Sequence, residues 1–322
     1  MKRRLFWLLD LCGFPALFRV LHRRSLTIVL YHGVAPRADS GIYNYRGKFI
    51  TPETFEKQID RLKKWYTILP LDEAIQRYDS GTLPEYALAV TFDDGYRNFY
   101  EYAYPILQRA GVPATMYLAT DFVCRRIPLW VDRLEHAVGR GSDSKAAKIV
   151  RDAKNRDYLK TVSPEVREST LCDIERDAGV SFDSFEGDRA VYAPLTRDEL
   201  IEMAGHGVSF GAHTRSHPIL ATQTEKEQKE ETDGSRRDIE SLGITVSPIF
   251  AYPNGQPGDW NSATEKVLEV GGFTHALTTL AGVNNYHTHP FRLRRYALDA
   301  TEDMAAFANI VSGVRLFLKS LL

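Results

Sequence analysis

Short apolar segments rich in β-branched and aromatic residues recur along the chain and alternate with helical patterns. The clearest are residues 26–31, 87–92, 114–118, 208–212 and 247–252. Segments of this length that end at polar or turn-forming residues are typical of buried strands. Strands that alternate with helices predict βα units and a parallel sheet. We therefore predict an α/β fold in which most of the chain forms one barrel-like layer.

Helix start and stop signals lie between these strands. Thr51-Pro52-Glu53 predicts the start of a helix over 55–65, and Ala110-Gly111 predicts the end of a helix over 104–109. The charged run 224–232 predicts a helix face that solvation explains without any function.

Residues 131–192 interrupt the alternation of strands and helices. Charged, weakly periodic helical stretches at 145–160 and 164–178 come here between two βα units. We interpret this region as a helical insertion that does not form a separate domain.

The composition argues against nucleic-acid binding and against a disulfide framework. The 322 residues are 43% hydrophobic and 26% charged, and the net charge of −1 lacks the basic excess of nucleic-acid-binding proteins. Three scattered cysteines, Cys12, Cys124 and Cys172, are too few for a disulfide framework, and we expect them to be buried.

The amino-terminal segment 1–24 admits two interpretations. A basic start and the apolar residues 5–9 resemble a secretory signal, but Asp10 and Pro15 interrupt the run and no cleavage site follows. The apolar run is also shorter than the roughly 20 residues of a membrane span. The segment is then either a helix packed on the domain or a basic amphipathic helix on a membrane surface. The basic residues at its edges are Lys2, Arg3, Arg4, Arg19, Arg23 and Arg24. We expect a C-terminal amphipathic helix at 301–322.

Two adjacent carboxylates follow the strand at 87–92, in Thr91-Phe-Asp-Asp-Gly-Tyr96. Asp93 and Asp94 repel each other at such a position unless a cation lies between them. The rest of the sequence must therefore provide for a cation.

Two histidines follow another predicted strand, in Gly211-Ala-His-Thr-Arg-Ser-His-Pro218. His213 and His217 are four residues apart, so one turn of helix would bring both imidazoles to the same side. The carboxyl ends of barrel strands converge on one mouth, where residues far apart in sequence meet. One aspartate and two histidines are the ligands of a catalytic metal centre with open positions. The second carboxylate then stays free to accept a proton.

Two more strand ends carry candidate residues. His32, in Leu30-Tyr-His-Gly-Val34, suits the protonation of a departing amide nitrogen near neutral pH, although a core-edge histidine bonded to backbone is an equal alternative. The turn in Phe250-Ala-Tyr-Pro-Asn-Gly255 offers backbone N–H groups to a developing oxyanion, or is a plain tight turn.

These stretches resemble the polysaccharide deacetylases of carbohydrate esterase family 4, the NodB-homology domain. The resemblance covers about residues 25–300, with the insertion at about 131–192, and implies a distorted (β/α)7-type barrel. Matched to T-F-D-D-G, Asp93 corresponds to the general base and Asp94 to the first metal ligand. Matched to H-T-R-S-H-P, His213 and His217 correspond to the other two ligands.

The position of the acid histidine resembles one branch of this family. Many members carry it in a C-terminal L-x-x-H, whereas here V-L-Y-H lies near the start of the chain and ends at His32. This resembles the permuted branch that includes poly-N-acetylglucosamine deacetylases of exopolysaccharide, and it implies that His32 is the acid.

One motif departs from the family pattern. Many members hold the base with an arginine in R-x-P-Y, but Ala251 stands at that place here. Arg294 or Arg295 is the candidate replacement, and Asp299 is a candidate to orient His32. Candidate substrate contacts are Tyr252, Asn254, Trp130 and Asp132. For Trp130 we favour a core role that anchors the insertion.

The resemblance implies a hydrolase of non-peptide C–N bonds that removes N-acetyl groups from an amino-sugar polysaccharide or oligosaccharide. It implies a divalent metal, first zinc, with cobalt, nickel or iron suited to the same ligands. Three alternatives stay open: a deformylase or amidohydrolase acting on a lipid-linked sugar or another C–N bond, a non-catalytic carbohydrate-binding module, and a membrane-surface scaffold. We favour a cytoplasmic or peripheral membrane location, without excluding export.

Overall fold

Parallel β-strands form the centre of the fold. The computed structural model of the chain describes residues 2–36, 47–140, 153–298, 301 and 303–321. The strands in these ranges are β1 (Thr27–Tyr31), β2 (Gly33–Val34), β3 (Phe49–Ile50), β4 (Thr67–Ile68), β5 (Ala87–Phe92), β6 (Ala114–Leu118), β7 (Val208–Ala212), β8 (Ile249–Ala251), β9 (His275–Leu277) and β10 (Tyr296–Ala297). Asp299 and residues 141–152 of the predicted insertion lie outside the described residues.

Helices connect the strands and extend both ends of the chain. The α-helices are α1 (Lys2–Leu11), α2 (Phe14–Leu21), α3 (Pro52–Trp65), α4 (Leu71–Asp79), α5 (Tyr104–Ala110), α6 (Thr120–Arg125), α7 (Trp130–Arg140), α8 (Ala153–Thr161), α9 (Pro164–Ala178), α10 (Arg197–Ala204), α11 (Glu225–Ser241), α12 (Ser262–Val270), α13 (Met304–Val311) and α14 (Val314–Ser320). Shorter helical turns are Phe99–Ala103, Gly187–Tyr192, Leu220–Thr222 and Pro290–Arg292.

The predicted helix signals are confirmed. The Thr51 hydroxyl accepts a hydrogen bond from the Thr54 N–H and so caps α3, which begins at Pro52. Gly111 ends α5 with a φ of 64°, in the left-handed region that favours glycine.

The strands follow one another around an irregular ring. The main sheet has the parallel order β10-β1-β5-β6-β7, with β4 beside the start of β5. β8 and β9 pair with each other, and single parallel bridges connect them to the sheet, between Phe210 and Val246 and between Leu277 and Leu293. This architecture confirms the predicted α/β fold.

The predicted strands at 87–92, 114–118 and 208–212 are confirmed residue for residue. The segments at 26–31 and 247–252 contain β1 and β8, each shorter than predicted. β9 was not predicted, because a run of three residues with only two apolar side chains, Ala276 and Leu277, is too short to stand out in the sequence.

Alternate strand residues face two different cores. Ile28, Ala89 and Tyr117 belong to a cluster inside the ring, together with residues of α4. Val29 and Val90 belong to a larger cluster between the ring and the outer helices. Because successive side chains of a strand point to opposite faces, this alternation determines which residues reach the mouth of the ring.

The helical insertion packs around a small apolar cluster of its own. The cluster consists of Leu134, Ala137, Val138, Leu159, Leu171 and Ile174, and Trp130 packs against it. α9 coincides with the predicted stretch 164–178.

The two ends of the chain pack together. α1 lies against α13, and the Asn309 side-chain amide donates a hydrogen bond to the Phe6 carbonyl at 3.0 Å. Among the described residues, no helix combines the length and apolarity needed to cross a membrane.

The expectation of buried cysteines is wrong, because the side chains of Cys12, Cys124 and Cys172 are exposed at the surface.

Candidate active site

Three candidate residues continue the inward series of their strands. His32 follows β1, Asp93 follows β5 and His213 follows β7, and each is in phase with the residues that face the inside of the ring. The two-residue period of an extended chain therefore carries all three side chains to the mouth. They line one cavity of about 720 Å³.

Asp94 is out of phase with the inward series, and a backbone reversal brings it to the same cavity. Its φ is 79°, a left-handed conformation that costs a non-glycine residue about 1–3 kcal/mol. Gly95 follows with a φ of 98°, and a Cβ at this position would lie 2.6 Å from a methyl carbon of Val123. Both adjacent carboxylates therefore reach the site. Asp93 does so because side chains alternate along the strand, and Asp94 does so because the backbone reverses direction.

His213 and His217 lie in a loop, and the proposed helical turn between them is wrong. Thr214 and His217 have φ values of 65° and 57°, and the His217 N–H donates to the Thr214 hydroxyl at 3.1 Å. These two left-handed residues turn the chain back on itself, so the imidazole centroids lie 5.0 Å apart.

Glu231 on α11 holds this loop in place. Its carboxylate accepts hydrogen bonds from the backbone N–H groups of Arg215 and Ser216 at 2.8 and 2.9 Å, and from the Ser216 hydroxyl at 2.6 Å. The interpretation of 224–232 as a purely solvated face is therefore wrong. A negative side chain in this run satisfies backbone donors of the loop that carries both histidines.

Asp94, His213 and His217 form a buried cluster suited to a metal ion. Their ligand atoms all lie within 4.8 Å of one another, and both Nε2 atoms are 3.5 Å from Asp94 Oδ1. That oxygen is buried without a hydrogen-bond partner. His213 Nδ1 donates to the Ala251 carbonyl at 2.8 Å, which leaves its Nε2 lone pair directed to the cluster. One carboxylate and two imidazoles fit a divalent transition metal.

The pKa values of the cluster agree with this donor set. Burial lowers the pKa of His217 to about 3, although the Asp94 carboxylate acts in the opposite direction, so the imidazole is neutral at pH 7. Burial alone would raise the pKa of Asp94, but His213, His217 and His32 outweigh it and lower this pKa. A neutral imidazole and an ionised carboxylate are the forms that bind metal.

Asp93 forms a fully buried ion pair with Arg295. The two guanidinium N–H groups donate to its two carboxylate oxygens at 2.8 and 2.7 Å, and Arg295 is 0% exposed. Burial raises the pKa of Asp93, but the charge of Arg295, helped by His213, outweighs this and lowers it. Of the two candidate arginines, the structure places Arg295 here, whereas Arg294 is exposed and donates to the Ala281 carbonyl.

The candidate substrate contacts separate into two groups. Trp130 and Asn254 line the cavity, and the Trp130 indole N–H donates to the His217 carbonyl at 3.2 Å. Tyr252 and Asp132 are buried and do not line it. Tyr252 belongs to the outward series of β8, and its ring stacks on Trp260 with centroids 4.8 Å apart.

The turn after β8 uses two of its backbone donors internally. The Gln256 N–H donates to the Asp259 carboxylate at 2.6 Å. The Gly255 N–H donates to the Pro253 carbonyl at 2.6 Å, within the turn itself. The geometry thus favours the plain tight turn that was the alternative at this position. Asp299 lies outside the described residues.

A buried charge cluster beside the cavity was missed in the sequence. Lys48 lines the cavity, and its ammonium group lies 2.6 Å from Asp132, 3.0 Å from the Tyr96 hydroxyl and 3.9 Å from Glu135. Tyr96 also donates to Asp132 at 2.8 Å. Lys48 has no motif around it, and its partners belong to other elements, so no local pattern indicated the cluster.

The geometry of the site agrees with a match to a known family. The polysaccharide deacetylase family model matches residues 80–276, which is more than half of the chain. The chain belongs to the polysaccharide deacetylase family. The chain is 20% identical over 266 residues to the Bacillus subtilis protein YxkH. This match covers 81% of the chain and 71% of YxkH. A shorter match, 31% identical over 85 residues, covers 26% of this chain and 29% of the poly-beta-1,6-N-acetyl-D-glucosamine N-deacetylase of Staphylococcus epidermidis.

Solved structures show the same fold. The Streptococcus pyogenes deacetylase PplD, solved with acetate, superposes with a TM-score of 0.62 at 19% identity and covers 89% of this chain and 98% of its own. IcaB from Ammonifex degensii superposes with a TM-score of 0.59 at 19% identity. The match covers 88% of this chain and 97% of IcaB. The expected family, fold and hydrolase class of the deacetylase are confirmed.

Proposed function

We propose that this protein is a metal-dependent N-deacetylase that removes acetyl groups from an amino-sugar polysaccharide or oligosaccharide. The observation that carries the proposal is the position of the Asp94–His213–His217 cluster beside the Asp93–Arg295 pair, at one mouth, in a member of the polysaccharide deacetylase family. A ligand set and a separate ionised carboxylate are the two requirements of metal-assisted amide hydrolysis.

Asp94, His213 and His217 would hold the divalent metal, with zinc as the first choice and cobalt, nickel or iron suited to the same donors. When bound, the metal supplies Lewis acidity, which favours attack of water on an amide carbonyl.

Asp93 is the proposed general base. Arg295 keeps its carboxylate ionised and holds it rigidly at the mouth, so that it can accept a proton from the attacking water. His32, in the lining of the same cavity, is the proposed acid that protonates the departing sugar amine. The products are acetate and a free amine.

The cavity lining suggests how the glycan is oriented. Trp130, Val131 and Leu134 form an apolar side, and Asn254 and Gln256 offer polar groups. Sugar rings stack on apolar and aromatic surfaces and hydrogen-bond through their hydroxyl groups, so we propose that the sugar ring lies against Trp130.

The test is acetate release from N-acetylglucosamine oligomers of increasing length, with the metal removed and then restored. We expect release that depends on the metal and that falls about 10²- to 10⁴-fold in Asp93→Asn. Formate release from N-formylated sugars without acetate release would move the proposal to a deformylase. Full activity of Asp93→Asn would remove Asp93 from the mechanism.

A further inference from the structure

Exposed apolar side chains concentrate on the helices at the two ends of the chain. Of seventeen large hydrophobic residues that are exposed in the described part of the chain, eleven lie in α1, α2 and α14 or directly after α14. They are Leu5, Trp7, Leu8, Leu11, Phe14, Leu17, Val20, Leu21, Leu316, Phe317 and Leu321. We call this surface the terminal face. Single exposed hydrophobic residues are normal, but a group of this size on helices that contact one another marks an interaction surface.

The two ends of the chain form the terminal face together. The rings of Phe18 and Phe317 lie 5.3 Å apart, and His22 Nδ1 is 3.2 Å from the Ser312 carbonyl oxygen. Phe6, on the side of α1 towards α13, is half-buried, whereas its neighbours Leu5 and Trp7 are exposed. The helices therefore pack through one side and leave large apolar side chains exposed to solvent on the other.

The charge of these segments indicates the partner. Residues 2–24 and 313–321 contain eight lysines and arginines and one acidic residue, Asp10, although the whole chain has a net charge of −1. Arg4, Arg24, Arg315 and Lys319 are exposed on or beside these helices. Exposed apolar residues combined with basic residues are typical of helices that lie in the interface of an anionic bilayer. A second copy of the chain would bring two basic surfaces together, which repel each other.

We propose that the terminal face docks the protein on a lipid bilayer with anionic headgroups, as a peripheral attachment. This inference concerns a surface separate from the catalytic cavity and goes beyond the proposed deacetylation. Because it uses helices of both chain ends, it extends the amphipathic amino-terminal segment considered from the sequence.

The position of the terminal face predicts the orientation of the docked enzyme. α2 leads directly into the amino end of β1, Arg23 pairs with Glu85 just before β5 at 3.1 Å, and the Tyr66 hydroxyl before β4 donates to the Val311 carbonyl. The candidate catalytic residues follow the carboxyl ends of β1, β5 and β7. The mouth of a docked molecule would therefore open on the side away from the attachment, towards glycan in the aqueous phase.

The test is co-sedimentation of the full chain with vesicles of phosphatidylcholine alone and of equimolar phosphatidylcholine and phosphatidylglycerol. We expect binding to the anionic vesicles, weakened by salt, and a blue shift of tryptophan emission that is absent in Trp7→Phe. The double variant Arg315→Gln/Lys319→Gln should bind roughly 25-fold more weakly, because each basic residue near the surface strengthens binding about fivefold. The double variant Trp7→Glu/Phe317→Glu should not bind.

The matched control is Val270→Glu, at another exposed apolar position far from the chain ends in sequence, which should bind like the parent. Circular dichroism melting curves show whether each variant is folded. The proposal fails if the parent does not sediment with anionic vesicles, or if the terminal-face variants bind as well as Val270→Glu. It also fails if the parent is a dimer that Trp7→Glu/Phe317→Glu dissociates and neither protein binds vesicles.

Discussion

The carboxylate of Asp93 and the guanidinium of Arg295 form a two-point ion pair between residues 202 positions apart in the chain. The pair joins the end of β5 to the residue before β10, two strands that both flank β1. It provides a positive charge beside the proposed base, whereas Ala251 stands at the position where the family resemblance predicts an arginine. Ala251 contributes to the site through its backbone, because its carbonyl accepts a hydrogen bond from His213 Nδ1.

Replacing Arg295 by Met should destabilise the protein and slow the reaction. Loss of one partner leaves a buried carboxylate unpaired, which costs about 3–5 kcal/mol of unfolding free energy. Urea denaturation measures this loss. Arg294→Gln, at the exposed neighbour, is the control and should change stability by less than about 0.5 kcal/mol. Equal stability losses in the two variants would contradict the assignment.

The same substitution should change the pH dependence of kcat/KM. Arg295 lowers the pKa of Asp93, and without it burial raises this pKa. The proposed base acts only when ionised, so activity is lost as pH falls through the pKa of Asp93. The acidic limb of the profile should therefore move to higher pH in Arg295→Met. An unchanged limb would show that another group limits the reaction at low pH.

His213→Ala should lose metal, whereas Asp93→Asn should retain it. His213 would be a direct ligand, and its removal should weaken metal binding by more than the roughly 10- to 100-fold that outer-shell changes cost. Metal content after dialysis, measured by mass spectrometry, checks both variants. His206→Ala is the matched control, because His206 is exposed on the surface, its ring contacts the Glu202 carbonyl, and it is not a member of the cluster. Stoichiometric metal in His213→Ala would refute the ligand set.

Glu231→Gln should weaken metal binding by about tenfold without removing a ligand. The carboxylate holds two backbone N–H groups of the loop between His213 and His217, and a neutral amide holds them less strongly. Glu230→Gln is the control, because the more exposed Glu230 contacts the Arg215 side chain and not the loop backbone. Titration with a competing chelator measures the affinities. Equal affinities in the two variants would mean that α11 does not position the loop.

Lys48→Met should make stability fall more steeply as pH rises. Burial raises the pKa of Asp132 above its unfolded value, and Lys48 limits that rise. Without Lys48 the folded protein keeps a proton on Asp132 at pH values where the unfolded chain has lost it. The free energy of unfolding then decreases as pH rises above about 4, by up to about 1.4 kcal/mol per pH unit.

Denaturation at pH 5 and pH 8 tests this prediction, with Lys48→Met/Asp132→Asn as the control that removes the carboxylate as well. The double variant should show a smaller difference between the two pH values than Lys48→Met. If the two variants behave alike, Asp132 does not determine the slope.

The alternation of strand residues is enough to predict from the sequence which of several candidate side chains point into the site. Leu293, Arg295 and Ala297 belong to one series, and Leu293 lies in the inner core. Arg295 is in phase with it, whereas Arg294 is not, so the period of two chooses between the two arginines. The same argument places Tyr252 on the outward face, away from the cavity.

The sequence alone determined the α/β fold, the position of the main strands along the chain and the motifs that carry Asp93, Asp94, His213 and His217. These features depend on local patterns of apolar residues and turn residues, which can be read along the chain. Only the tertiary structure decided the left-handed conformations of Asp94, Thr214 and His217, the contact of Glu231 with the histidine loop, and the pairing of Lys48 with Asp132. Each of these requires packing between elements distant in sequence, which holds strained backbone and buried charge in place.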